Sequence, residues 1–168
     1  MKKYLLLLIT SCLSPTIHAE AIEIQMTGNI FANTCSVDSA SQDLSVDLGQ
    51  DSAGNYKDVG DTGAWKDFDL TLSKCPSTTT LVTAQFKGQA DSTHPTRFAN
   101  TGTAGGLALE LGDRQDRILL APQASFSVLV NQDTHTADFP LSARYYCTSY
   151  PVTAGTFNAT VQVTFTYQ

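Results

Sequence analysis

Phe157-Asn158-Ala159-Thr160-Val161-Gln162-Val163-Thr164-Phe165-Thr166-Tyr167-Gln168 alternates apolar and polar residues without interruption over eleven positions. A period of two puts every apolar side chain on one face of an extended strand, whereas a helix would scatter them around its axis. The same signature recurs upstream. Phe139, Leu141, Ala143 and Tyr145 alternate, as do Phe126, Val128 and Val130, then Leu107, Leu109 and Leu111. Val82, Ala84 and Phe86 follow the pattern, as do Phe68, Leu70 and Leu72, then Leu44, Val46 and Leu48, and finally Ile22, Ile24, Met26, Gly28 and Ile30.

Turn chemistry separates these runs: residues 51–54, 60–63, 90–95 and 101–106, then Gly112-Asp113 and Ala154-Gly155. Short strands with turn signals between them predict an all-β antiparallel sandwich of the immunoglobulin type. Residues 50–64 are too polar and glycine-rich for a core strand and read as a loop with at most one short turn of helix. Repeats and linkers are absent from the pattern, so the expected organisation is one folding unit with a leading arm.

The first nineteen residues read as an export signal. Lys2 and Lys3 supply the positive start, residues 4–9 (YLLLLI) the short apolar core, Pro15 a helix break and Ala19 a small residue for cleavage. Cleavage after Ala21 is the weaker option, and Ile9-Thr10-Ser11-Cys12 only loosely resembles a lipobox. The apolar run is far below the roughly 20 residues that span a bilayer. The expected mature protein is therefore soluble, without stable membrane insertion, and has crossed a membrane.

Taking residues 1–19 from 168 leaves 149, one domain's worth. Two of the ten Lys and Arg go with them and none of the sixteen Asp and Glu, leaving a net charge of −8. Such a surface has no electrostatic footprint for nucleic acid or anionic lipid. Three cysteines remain, Cys35, Cys75 and Cys147, which in an exported chain implies one disulfide and one odd thiol. Their spacing fits no zinc site, and only His94 and His135 survive as histidines. Neither lies in a nucleophile or metalloprotease motif, and the acids are scattered through loops, so no enzyme and no cofactor are expected.

Both ends invite two readings. The alternating run that starts at Ile22 is either an ordinary first strand or a free donor strand whose apolar face fits a groove on another molecule. The last strand runs to the end of the sequence, so it is either central in a complete sheet or an uncovered edge that another chain must cover.

A family resemblance bears on that choice. Gly28-Asn29-Ile30-Phe31-Ala32-Asn33-Thr34-Cys35-Ser36-Val37 resembles the opening of chaperone–usher fimbrial subunits, in which Gly stands seven residues before the first disulfide cysteine. Ser45-Val46-Asp47-Leu48-Gly49 is similar to their next strand, and Ala64-Trp65-Lys66-Asp67-Phe68 with Leu70, Leu72 and Cys75-Pro76 to the strand that ends at the second cysteine. Phe86-Lys87-Gly88-Gln89-Ala90-Asp91 resembles the F-x-G-x-A-D segment. Pro140-Leu141-Ser142-Ala143-Arg144-Tyr145 and the stretch from Val152 to Thr160 resemble the closing region, with Gly155 fourteenth from the end and Tyr167 penultimate. The likeness spans the mature chain and is greatest to type 1 fimbrial minor tip subunits of the FimG and FimF kind.

The resemblance implies an incomplete immunoglobulin-like sandwich over residues 31–168, missing its seventh strand, behind a donor-strand extension at residues 20–30. It implies a Cys35–Cys75 disulfide, although Cys147 departs from the family pattern and leaves Cys35–Cys147 as the alternative. Ile22, Ile24, Met26, Gly28 and Ile30 would form the donor face. Gly155, Phe157, Ala159, Val161, Val163, Phe165, Tyr167 and Gln168 would form the acceptor groove and chaperone-binding strand. The implied partners are a periplasmic chaperone that holds the carboxylate of Gln168, an outer-membrane usher and neighbouring fimbrial subunits. The route is export through the periplasm to the cell-surface fimbrium. A minor adaptor role is expected, with a major rod subunit or a single-domain receptor-binding adhesin as the competing readings.

Overall fold

The alternating runs fold into two facing antiparallel sheets. In this computed structural model residues 25–28 and 34–168 are described. Their elements are β1 (Ser36–Val37), α1 (Ser39–Gln42), a 3-10 turn (Ala53–Asn55), β2 (Lys66–Ser73), β3 (Leu81–Lys87), β4 (Phe98–Ala99), β5 (Leu107–Asp113), β6 (Ser125–Leu129), β7 (Ala137–Cys147) and β8 (Gln162–Tyr167). The larger sheet runs β1-β2-β7-β5-β4 and the smaller β6-β3-β8. The export signal read over residues 1–19 lies outside the described residues. So do Ile22, Ile24 and Ile30 of the donor face. Residues 25–28, which include Met26 and Gly28, are in neither helix nor strand.

The core lies between the two inner faces. Leu70 and Leu72 of β2, Val82, Ala84 and Phe86 of β3, and Phe139, Leu141 and Ala143 of β7 are buried. Phe139 joins the sheets: its ring meets Phe126 of β6 edge-on at 6.0 Å and Phe165 of β8 at 5.8 Å. Such aromatic pairs add directional preference to the area they bury.

β1 is only two residues long, and its pairing with β2 sets Ser36 opposite Ser73. This register draws the flanking cysteines together, and Cys35 and Cys75 form the disulfide with Cα atoms 4.1 Å apart. The resemblance implied this pairing, and the Cys35–Cys147 alternative is not formed. Cys147 is a free, buried thiol whose Sγ lies 3.6 Å from Ser149 O. Burial pushes its proton affinity up, which disfavours the reactive thiolate.

The outer face of the larger sheet gathers all four arginines of the chain. Arg97 and Arg144 each reach Glu110 at 2.7 Å, and this carboxylate is only 6% exposed. A buried carboxylate is tolerable where charged donors saturate it. Arg114 and Arg117 pair with Asp69 and Asp67 in more exposed positions. The Trp65 ring carries the Arg144 guanidinium at 4.2 Å and that of Arg117 at 4.9 Å. The ring thus holds two arginine cations by cation–π attraction.

Two expected strands are not strands. Residues 44–48 and 157–161 keep their alternation but lie outside any ladder. A strand is defined by its partner, and these two stretches face each other across a space that no strand of the described chain fills. The loop at residues 50–64 is a loop, with the 3-10 turn inside it.

Candidate functional site

The parity of the last ladder shows which main-chain groups are satisfied. Gln168 and Leu81 exchange both bonds: the Gln168 N–H donates to Leu81 O at 2.9 Å, and the Leu81 N–H donates to Gln168 O at 3.0 Å. Antiparallel ladders alternate bonded and non-bonded pairs. Thr166, Thr164 and Gln162, opposite Thr83, Gln85 and Lys87, therefore turn their main-chain groups toward β3. Those of Val163, Phe165 and Tyr167 point away from it. β8 is the edge of its sheet, so nothing among the described residues receives them.

The same parity continues upstream. The Thr101 N–H donates to Asn158 O at 2.7 Å and the Ala104 N–H to Thr156 O at 2.9 Å. In return the Asn158 N–H donates to Asn100 Oδ1, and the Thr156 N–H to Thr103 Oγ1, both at 2.9 Å. The loop at residues 100–106 thus prolongs β3's role on one edge. The other edge, carrying the main-chain groups of Phe157, Ala159 and Val161, stays open.

That edge borders a groove of about 1000 Å³. Residues 36–48 form one wall and residues 157–165 the other, over a floor that includes Phe68, Leu70, Leu109, Leu111 and Leu141. The side chains show the same deficit as the backbone. Val82, Ala84 and Phe86 on β3, flanked by strands on both sides, are at most 1% exposed. Phe157, Ala159, Val161, Val163 and Phe165 also face inward, yet all are only half-buried. Val46 and Leu48 on the opposite wall are half-buried as well, and Leu44 is 39% exposed. An open main-chain edge beside unfilled apolar surface is the complement of one extended strand with apolar residues at alternate positions.

Tyr145 closes one end of the groove. Its ring meets Phe157 edge-on at 4.9 Å, and its hydroxyl donates to Gly49 O at 2.8 Å. Burial, with the Asp47 and Asp51 charges adding to it, pushes the phenol above its ordinary pKa, so it remains a donor.

A protein-family model described as "Fimbrial protein" matches residues 24–168. The chain belongs to the fimbrial protein family. This fimbrial protein is similar to Protein FimG of Escherichia coli (strain K12), with 35% identity over 164 residues that span 98% of this chain and 95% of FimG. It is also similar to the crystal structure of the Burkholderia pseudomallei antigen and type I fimbria protein, at 31% identity and TM-score 0.58, covering 80% of this chain and 88% of that one. The P pilus rod subunit PapA shares the fold, with TM-score 0.65 at 22% identity over 80% of this chain and 99% of PapA. The fimbrial protein is a chaperone–usher pilus subunit with an immunoglobulin-like fold, a surface-exposed pilus component that contacts neighbouring subunits.

Of the acceptor residues named from the sequence, the fold of this fimbrial protein brings Phe157, Ala159, Val161, Val163 and Phe165 together in the groove. Tyr167 and Gln168 lie beyond its lining, at the far end of the β3 ladder. Gly155 does not line it either. A Cβ on Gly155 would stand 2.4 Å from Ala104 N, and one on Gly102 would stand 2.1 Å from Thr156 O. Glycine at both positions lets the two loops interlock, which anchors the upstream half of the groove wall.

Replacing Gly155 with Ala is expected to destabilise the fimbrial protein by about 1–3 kcal/mol, because the clash is with backbone. Thermal melting of the purified variant measures this, and an unchanged midpoint would show that the loops separate freely. The opposite wall was less legible. The alternation of Leu44, Val46 and Leu48 marks extended chain in the sequence, but its position across from residues 157–165 is a tertiary fact.

Proposed function

We propose that this fimbrial protein is a minor, adaptor-type subunit assembled by donor-strand complementation and exchange. The groove carries this reading, since it lacks one strand's worth of both backbone partners and apolar side chains. In the periplasm a chaperone lends that strand and holds the end of the chain at Gln168. At the outer-membrane usher the leading arm of the next subunit replaces it. This protein's own arm, residues 20–30 with Ile22, Ile24, Met26, Gly28 and Ile30 on its apolar face, fills the groove of the neighbour nearer the tip. No catalytic step and no cofactor enter, because completing the sandwich releases the free energy that drives each exchange. The FimG kinship supports an adaptor place, and the abundance of this chain in purified fibres decides between that and a rod subunit.

The role makes separate demands on the two ends. Ile24→Asp or Met26→Asp is expected to block incorporation of the tip-side neighbour while chaperone capture continues. Phe165→Asp is expected to abolish chaperone capture itself. Pull-down from periplasmic extracts and electron microscopy of the fibres read these outcomes. Wild-type assembly of the arm variants, or wild-type chaperone co-purification of the groove variant, would count against the assignment.

A further inference from the structure

We infer that the groove selects its occupant by charge, turning away the leading arm of a second copy of this chain and taking a strand whose outward positions are uncharged or basic. The inference rests on the strand-accepting reading above.

The groove lining contains two carboxylates, Asp43 and Asp47, and no Lys, Arg or His. Both side chains are exposed on the wall formed by residues 36–48. The Asp47 carboxylate accepts only the Gly49 N–H, at 2.8 Å. Among the described residues neither acid is in an ion pair, and all four arginines are committed to Asp67, Asp69 and Glu110 on the outer face of the larger sheet. The groove lining is therefore net negative; Lys87 stands beside Thr160 and Gln162 on the opposite wall but makes no ion pair with either acid.

Alternation fixes where those charges lie. Val46 and Leu48 are half-buried while residues 43, 45 and 47 are exposed, so the alternating chain turns these three outward at the groove's border. A strand laid beside this wall with its apolar face inward sets its own outward residues next to these three. Sliding the register by two residues moves it along the wall without changing faces, and reversing the strand direction also leaves the faces as they are. Any correctly seated occupant therefore meets Asp43, Ser45 and Asp47 with its outward side chains.

The leading arm of this chain is poorly matched to that rim. With Ile22, Ile24, Met26, Gly28 and Ile30 inward, the outward residues are Glu23, Gln25, Thr27 and Asn29. Glu23 is the only charge among them, and residues 20–34 contain no Lys or Arg. A second copy inserting its arm would bring Glu23 against an acidic rim, and directly opposed like charges destabilise a strand pair. A lysine or arginine at that place would attract instead. An arm that fits this groove poorly disfavours self-extension relative to insertion of an unlike neighbour.

Three synthetic peptides of residues 20–32 test the inference on the unaltered exported chain: the native sequence, Glu23→Gln and Glu23→Lys. Fluorescence anisotropy of labelled peptides measures their affinity. The expected order is Lys tightest, then Gln, then Glu, with roughly tenfold between the extremes. The spread is expected to shrink in ~1 M salt, where the screening length falls to about 3 Å, and in an Asp43→Asn/Asp47→Asn variant. Equal binding by all three peptides would overturn charge selection and leave the strand-accepting groove intact. Binding by none of them would overturn the groove reading, and the inference with it.

Discussion

Filling the groove is expected to raise the stability of the isolated subunit more than any single substitution lowers it. A strand bearing four large aliphatic residues at alternate positions buries side chains worth roughly 6–12 kcal/mol on transfer values. It also supplies partners to the open main-chain groups of the 157–167 edge, and ordering the strand offsets part of the gain. A net gain of about 4 kcal/mol would lift the melting temperature of a domain this size by about 8–16 °C. The Glu23→Lys peptide of residues 20–32 is the probe of choice, since it combines the native apolar face with an outward charge suited to the rim. The same peptide with Asp at positions 24 and 26 keeps length and solubility but loses the apolar match, and it is expected to leave melting unchanged. Equal melting temperatures with and without the first peptide would show that the half-buried faces of Phe157, Ala159, Val161, Val163 and Phe165 are not a strand site.

Loss of the Cys35–Cys75 disulfide is expected to cost about 4 kcal/mol, the chain-entropy value for closing a loop of sequence separation 40. The effect reaches the groove because the bond pins one of its walls. β1 contributes only Ser36 and Val37 to the larger sheet, and residues 44–48 beyond it have no ladder partner. Without the bond, two ladder residues, α1 and the hydrogen bonds that join Asp38 to Thr71 and Ser73 remain to hold that wall against β2. The Cys35→Ser/Cys75→Ser double variant is expected to melt about 8–16 °C lower and to lose most of its affinity for the complementing peptide. The double substitution matters, because a single one would leave a thiol able to pair with Cys147. An unchanged melting temperature together with unchanged peptide affinity would show that packing alone places the wall.

The two strand readings that differ from the structure share one cause. Residues 44–48 and 157–161 carry the same period-two pattern as β3 or β7, and in both the inward side chains are placed as the pattern requires. They fall outside the ladders because alternation specifies a face and leaves the partner undefined. The segments that border the open groove were therefore legible as extended chain, while the space between them was not. Glu110 marks a second limit. In the sequence it is one acid among sixteen. Its burial between Arg97 and Arg144 follows from pairing registers that bring residues from three separate strands or loops onto one face.

Residue order alone determined the class of fold, the faces that turn inward, the loop at residues 50–64 and the kinship of the chain, because each follows from local periodicity, turn chemistry or short motifs. Tertiary structure alone decided where the four arginines gather and that residues 36–48 and 157–165 stand as opposite walls of one groove, and it closed the choice of cysteine pairing that the resemblance had implied but left with an alternative. Those outcomes depend on strand order and register across residues far apart in the chain, where the balance of packing and pairing over the whole sandwich selects a single arrangement.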